Sequence, residues 1–173
     1  MKVIFSLILV FSSLMNAAGI IFYSGTSHIL DSFSKDFKTG VTLCAGGFYD
    51  VSKWLSAEMN GSVVNISSSS IPGCSFEQFS LNMGPRVRFF SRRRITPFVS
   101  TGFTLTRNRI SMDGVSEGSN DMGLEFKGGL EFQVMYNLKL DLGVRYHTIL
   151  EKAQSGHIGN IILGFMYSPD RKL

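Results

Sequence analysis

The strongest constraint in this sequence is a period of two. In LEFKGGLEFQ, Leu124, Phe126, Leu130 and Phe132 stand two or a multiple of two apart, with Glu125, Lys127 and Glu131 between them. Successive side chains of an extended strand point to opposite faces, so one face here is apolar and the other carries three charges. The alternation recurs from about residue 20 onward, and no segment carries a helical stripe. It predicts strands at roughly 20–30, 38–49, 54–66, 76–90, 97–109, 122–135, 138–149 and 158–167. The first is the least regular, because IIFYSGTSHIL alternates poorly. Pro85, inside the fourth, has no N–H to give a ladder and implies a bulge or a local break.

The connections between these strands are unequal. Asp50–Lys53, Ser91–Thr96 and Tyr136-Asn137 are tight turns, whereas SSSSIPGCS, SMDGVSEGSND and EKAQSGH are longer, polar and rich in Gly and Ser. Tight turns at one end and longer loops at the other suit an up-and-down barrel. Outer-membrane barrels show this asymmetry, with periplasmic turns and extracellular loops. The expected fold class is therefore all-β: an eight-stranded antiparallel up-and-down transmembrane β-barrel, occupying residues 20–173.

Soluble barrels also alternate, so the inward face has to be argued from side-chain size. One parity collects bulky apolar residues, among them Val41, Leu43, Phe79, Leu81, Phe103, Leu105, Leu140 and Leu142, and no charge. The other collects Gly40, Thr42, Ser56, Asn60, Gly84, Gly102, Gly129, Gly143 and the charged residues. Open water has no need of small side chains, but the inside of an eight-stranded barrel is only just wide enough for side chains to fill. A Lys or Arg facing lipid at mid-depth costs about 2–4 kcal/mol. The small, polar parity therefore belongs inside. Its charged members are Glu58, Arg86, Arg88, Glu125, Lys127, Glu131, Lys139, Asp141, Arg145 and His147. Acids and bases are close to balanced, and buried charges have to be paired because desolvation costs several kcal/mol per ion. They are expected to form a lumenal charge network that plugs the barrel. A wide pore is excluded on strand number, since aqueous channels need about sixteen strands.

Aromatic residues gather near the tight turns: Phe48, Tyr49, Trp54, Phe89, Phe98, Phe132, Tyr136, Phe165 and Tyr167. Rings collected at one rim suit a membrane-interface girdle.

The N-terminus reads as something separate. Lys2, the apolar run Val3–Phe11, and small Ala17-Ala18-Gly19 follow the order of a secretory signal, so residues 1–19 are assigned to a signal peptide. The apolar run is about half the ~20 residues a spanning helix needs. Export permits a disulfide, but Cys44 falls mid-strand and Cys74 in a loop, a placement that favours two unpaired thiols. The net charge of +4 is modest for a nucleic-acid binder, and export argues against that role.

No catalytic, cofactor or metal site is expected. His147 is followed by Thr148 and Ile149, with no serine two residues on, and His28 and His157 have no acid partner at a recognisable spacing. No Cys/His spacing suggests a metal. Arg92-Arg93-Arg94 reads as a solvated turn that keeps charge out of the bilayer.

Several stretches resemble the eight-stranded transmembrane domain of OmpA-type proteins, and more loosely OmpX and the opacity proteins. GVTLCAGGFYDVSKWLSAEMNGS is similar to their second hairpin, FKGGLEFQVMYNLKLDLGVRYHT to their sixth and seventh strands, and IILGFMYSP to the closing strand. ITPFVSTGF resembles the Pro-aromatic opening of the fifth. The resemblance implies inward carboxylates after the first short turn and in the GG-x-E segment, positions that Glu58 and Glu131 match. It implies a monomeric, non-enzymatic protein of the Gram-negative outer membrane, with lipid around it and loops at 67–76, 111–121 and 151–157 facing outside. Membrane integrity, or adhesion and surface antigenicity through a host or cell-surface ligand, are the roles such loops would serve. The alternatives are a lipid A-modifying barrel enzyme and a soluble periplasmic lipocalin-like carrier.

Overall fold

A computed structural model describes residues 18–30, 36–90, 93–150 and 157–169. Eight strands follow in chain order: β1 (Ala18–Ile29), β2 (Gly40–Asp50), β3 (Leu55–Ser67), β4 (Ser75–Arg88), β5 (Ile95–Met112), β6 (Val115–Gln133), β7 (Leu138–Ile149) and β8 (His157–Tyr167). Each pairs antiparallel with the next, and β1 pairs with β8 from Ile20–Tyr167 to Ile29–Ile158, which closes the sheet into a barrel. Closure leaves no open edge in the barrel wall, the condition for a sheet to cross hydrocarbon. Most of the expected signal peptide lies outside the described residues, and β1 begins at Ala18. So do Arg92 of the arginine turn and all of the expected loop at 151–157 except His157.

The ladders fix the stagger. From Ile20, partners run through Gly47, Met59, Met83, Phe103, Leu124 and Thr148 to His157. The carbonyl of His157 accepts from the Leu30 N–H, ten residues beyond the start and just past the end of β1. A closed sheet with that shear must tilt its strands by about 40°.

One expectation about the strands changes, and another is resolved between its two alternatives. Residues 111–121 do not form a loop. β5 and β6 continue through them as a hairpin, closed at Met112–Val115 around Asp113 and Gly114. Both turn residues have positive φ, 51° and 83°, the conformation of a type I′ turn. The Asp-Gly dipeptide was the available signal, and the polar composition around it masked the strands. Pro85 causes a local break without a bulge. The β4–β5 ladder drops its pairs between Met83–Phe103 and Arg86–Ser100, then resumes in the same register.

The faces separate as side-chain size predicts. Leu140 is 40% exposed on the outside while its neighbour Asp141 is 0% exposed within. Among the described residues, buried polar and charged side chains outnumber buried apolar ones about two to one. That inverts the rule for a water-soluble domain. The interior is not polar throughout, however. Ile21, Tyr23, Cys44, Phe48, Ile162 and Met166 form one apolar cluster on the inner wall of β1, β2 and β8. Around this cluster the three strands are apolar on both faces, which is why β1 alternates poorly; nearer the loops Ser27, Thr42 and Asn160 make their inner wall polar.

Candidate functional site

The lumen of β3, β4, β6 and β7 is where the charged residues meet. Arg86 lies at its centre, fully buried. Its Nη1 reaches Glu58 Oε1 on β3 at 2.9 Å and Asp141 Oδ2 on β7 at 2.8 Å, and its Nη2 reaches Glu131 Oε2 on β6 at 3.0 Å. The guanidinium also lies over the Phe98 ring, 3.5 Å from its centroid. A planar five-donor group can address carboxylates from three strands at once, which an ammonium could not do in one plane.

Around this centre the other charges are partnered. Lys127 reaches Glu58 Oε2 at 2.6 Å, so Glu58 is held between two cations. Arg88 contacts Glu131 Oε2 at 3.0 Å and Asp50 at 2.7 Å, and Lys139 pairs with the other oxygen of Glu131. One layer toward the loops, Arg145 Nε meets Glu125 Oε2 at 2.6 Å and its Nη2 donates to Ser62 Oγ at 2.7 Å. His147 is buried without an ion pair, between Gln78 Oε1 at 3.2 Å and Thr106 Oγ1 at 3.4 Å. Glu58, Arg86, Arg88, Glu125, Lys127, Glu131, Lys139, Asp141, Arg145 and His147 are all buried.

An inward glycine lets two strands close on one another near this network. A Cβ at Gly84 would meet the backbone of Thr101 and Gly102 on β5, so only glycine lets the strands approach where the Pro85 break occurs.

Sequence reasoning missed Tyr23. Its hydroxyl donates to Asp141 Oδ2 at 2.9 Å and accepts from Arg86 Nη1 at 3.0 Å, and its ring lies under the Lys127 ammonium, 4.7 Å from the centroid. It sits on the least regular strand, and a tyrosine there reads as a lipid-facing aromatic. Asp50 was also missed, because it falls at the edge of a turn.

The girdle expectation needs correction at two positions. Phe48 and Phe98 are 6% and 2% exposed and point into the barrel, because their parity matches the lumenal side of β2 and β5. Tyr49, Trp54, Phe89, Tyr136 and Phe165 are exposed on the outside; Phe132 and Tyr167 are half-buried. Phe22 and Phe165 stack across β1 and β8 with ring centroids 5.6 Å apart. Cys44 and Cys74 are both free and buried. Among the described residues no group of His, Cys, Asp and Glu could hold a metal ion.

A closed eight-stranded antiparallel sheet has counterparts among known proteins. The family model of the outer membrane protein beta-barrel domain matches residues 6–168. The chain belongs to that family. Neisserial surface protein A has the same fold, with a TM-score of 0.73 at 16% identity, over 88% of this chain and 97% of that one. Ail, the attachment invasion locus protein of Yersinia pestis, aligns with a TM-score of 0.58 at 18% identity, covering 87% and 96%. The N-terminal β-barrel domain of Pseudomonas aeruginosa OprF gives 0.59 at 13%, covering 88% and 98%. At these identities the likeness establishes the fold. No curated protein sequence matches.

Proposed function

We propose that this chain is a non-enzymatic, monomeric barrel of the Gram-negative outer membrane, exported by a signal peptide at residues 1–19. Its lumen is plugged by charge, and its loops serve membrane integrity and surface adhesion or antigenicity. Arg86 carries the reading of the plug: a fully buried guanidinium tied to carboxylates of three strands obstructs the axis of the barrel. Opening a path would separate these pairs, and breaking one buried pair costs about 3–5 kcal/mol.

Neisserial surface protein A and Ail support the surface role. Ail's name gives attachment and invasion, and it has been crystallised with the heparin analogue sucrose octasulfate. The segments at 67–76 and 151–157 and the β5–β6 turn then lie at the outer end, available to a host or cell-surface ligand. His147 supports no hydrolytic reading, since its neighbours Gln78 and Thr106 are not an acid–nucleophile pair. The reading needs no cofactor.

Planar-bilayer recording tests the plug. The unaltered protein is expected to give no sustained current, with openings appearing only when Arg86 is replaced by glutamine. A steady open state in the unaltered protein would end this reading.

A further inference from the structure

The outward face of β4–β6 changes character over one step along the strands. At one level Leu81, Leu105 and Met122 stand side by side, and the level below holds Met83, Phe103 and Leu124. At the level above, toward the loops, Phe79, Arg107 and Asn120 are in register, followed by Glu77, Arg109 and Gly118. Arg107 and Arg109 lie two residues apart on one strand, so both project outward on the same side. They are the first cations on this face above the apolar band.

Two hollows meet there. A trench of about 370 Å³ runs between Phe79, Leu81, Leu105 and Met122, with Arg107 at its upper end. A polar hollow of about 600 Å³ continues from Arg107 and Phe79 up to Arg109, Ser116 and Gly118. Arg109 Nη2 donates to Ser116 Oγ at 3.0 Å, which fixes its direction. Arg107 has no hydrogen-bond or ion-pair partner among the described residues. Glu77 and Glu117 also line the upper hollow, and neither is within ion-pair distance of the arginines.

We propose that this surface binds a phosphorylated, acylated lipid of the outer leaflet, with an acyl chain in the Phe79–Met122 trench and a phosphate on Arg107 and Arg109. The inference rests on the outer-membrane reading above. Charge and shape select the occupant: an apolar channel that ends on an unpaired guanidinium complements an amphiphile with an anionic head. Arginine suits phosphate because its planar donors engage two oxygens together, and basic residues near a bilayer surface attract anionic lipid.

The full chain, folded into phosphatidylcholine vesicles with or without lipid A, would be extracted into detergent and its retained lipid counted by native mass spectrometry. The unaltered protein should retain lipid A, and the R107Q/R109Q pair about tenfold less. The R93Q/R94Q pair at the opposite rim should match the unaltered protein, and lipid A stripped of phosphate should be retained no better than phosphatidylcholine. Equal retention by R107Q/R109Q, or equal retention of the stripped lipid, overturns the proposal. Folding is followed by the shift in gel mobility on boiling. A shift without lipid A retention overturns the lipid site alone; no shift in the unaltered protein overturns the barrel reading with it.

Discussion

Replacing Arg86 by methionine would leave Asp141 with only the Tyr23 hydroxyl among the described residues, and would strip one cation each from Glu58 and Glu131. Removing one partner of a buried network leaves an uncompensated charge, at a cost of about 3–5 kcal/mol. Urea unfolding in vesicles should show that loss as a lower midpoint; an unchanged midpoint would mean the carboxylates repartner without it. At this scale much was readable from the sequence. A charge on the inward parity of a membrane barrel has nowhere else to go, so Glu58, Glu131 and Arg145 could be placed by counting. Tyr23 could not, because a tyrosine is tolerated by lipid, interface and lumen alike.

At the scale of the element, β7 offers the cleanest alternation. Thiol-linked probes at Leu140 and Asp141 should divide, with the first quenched by lipid-soluble agents and the second shielded from them. The reverse result would invert the faces of the whole barrel. The β5–β6 hairpin makes a different prediction. Gly114 has a φ of 83°, and a Cβ added there would have nothing within 4 Å, so Gly114→Ala meets backbone strain without a clash. The cost should be about 1 kcal/mol. Hydrogen exchange should quicken in the hairpin above the membrane and remain unchanged in β1 and β8. Here the sequence misled, because Ser, Gly and Asn between Ser111 and Asp121 read as loop. Pairing with β4 up to Ser75–Ser111, and of β5 with β6 throughout, overrides that weak preference.

At the scale of the whole molecule, the closing β1–β8 ladder makes the barrel a single cooperative unit. Opening any one ladder would expose unpaired backbone to hydrocarbon. The folded protein should therefore persist in cold detergent and migrate differently on gels before and after boiling. One mobility under both conditions would contradict closure. The apolar cluster on the inner wall of β1, β2 and β8 gives this closure side-chain packing as well as hydrogen bonds.

The period of two and the size difference between its two parities determined strand number, topology and which face meets lipid. Those are local properties, since a strand shows its two faces to any reader of the chain. Tertiary structure decided the rest. It set the shear that brings Glu58, Glu131 and Asp141 together around Arg86, the inward turn of Phe48 and Phe98, and the place of Tyr23 beside them. It also decided that residues 111–121 pair instead of looping. Each depends on which residues from distant strands arrive at the same height, and that height is fixed only when the sheet closes on itself.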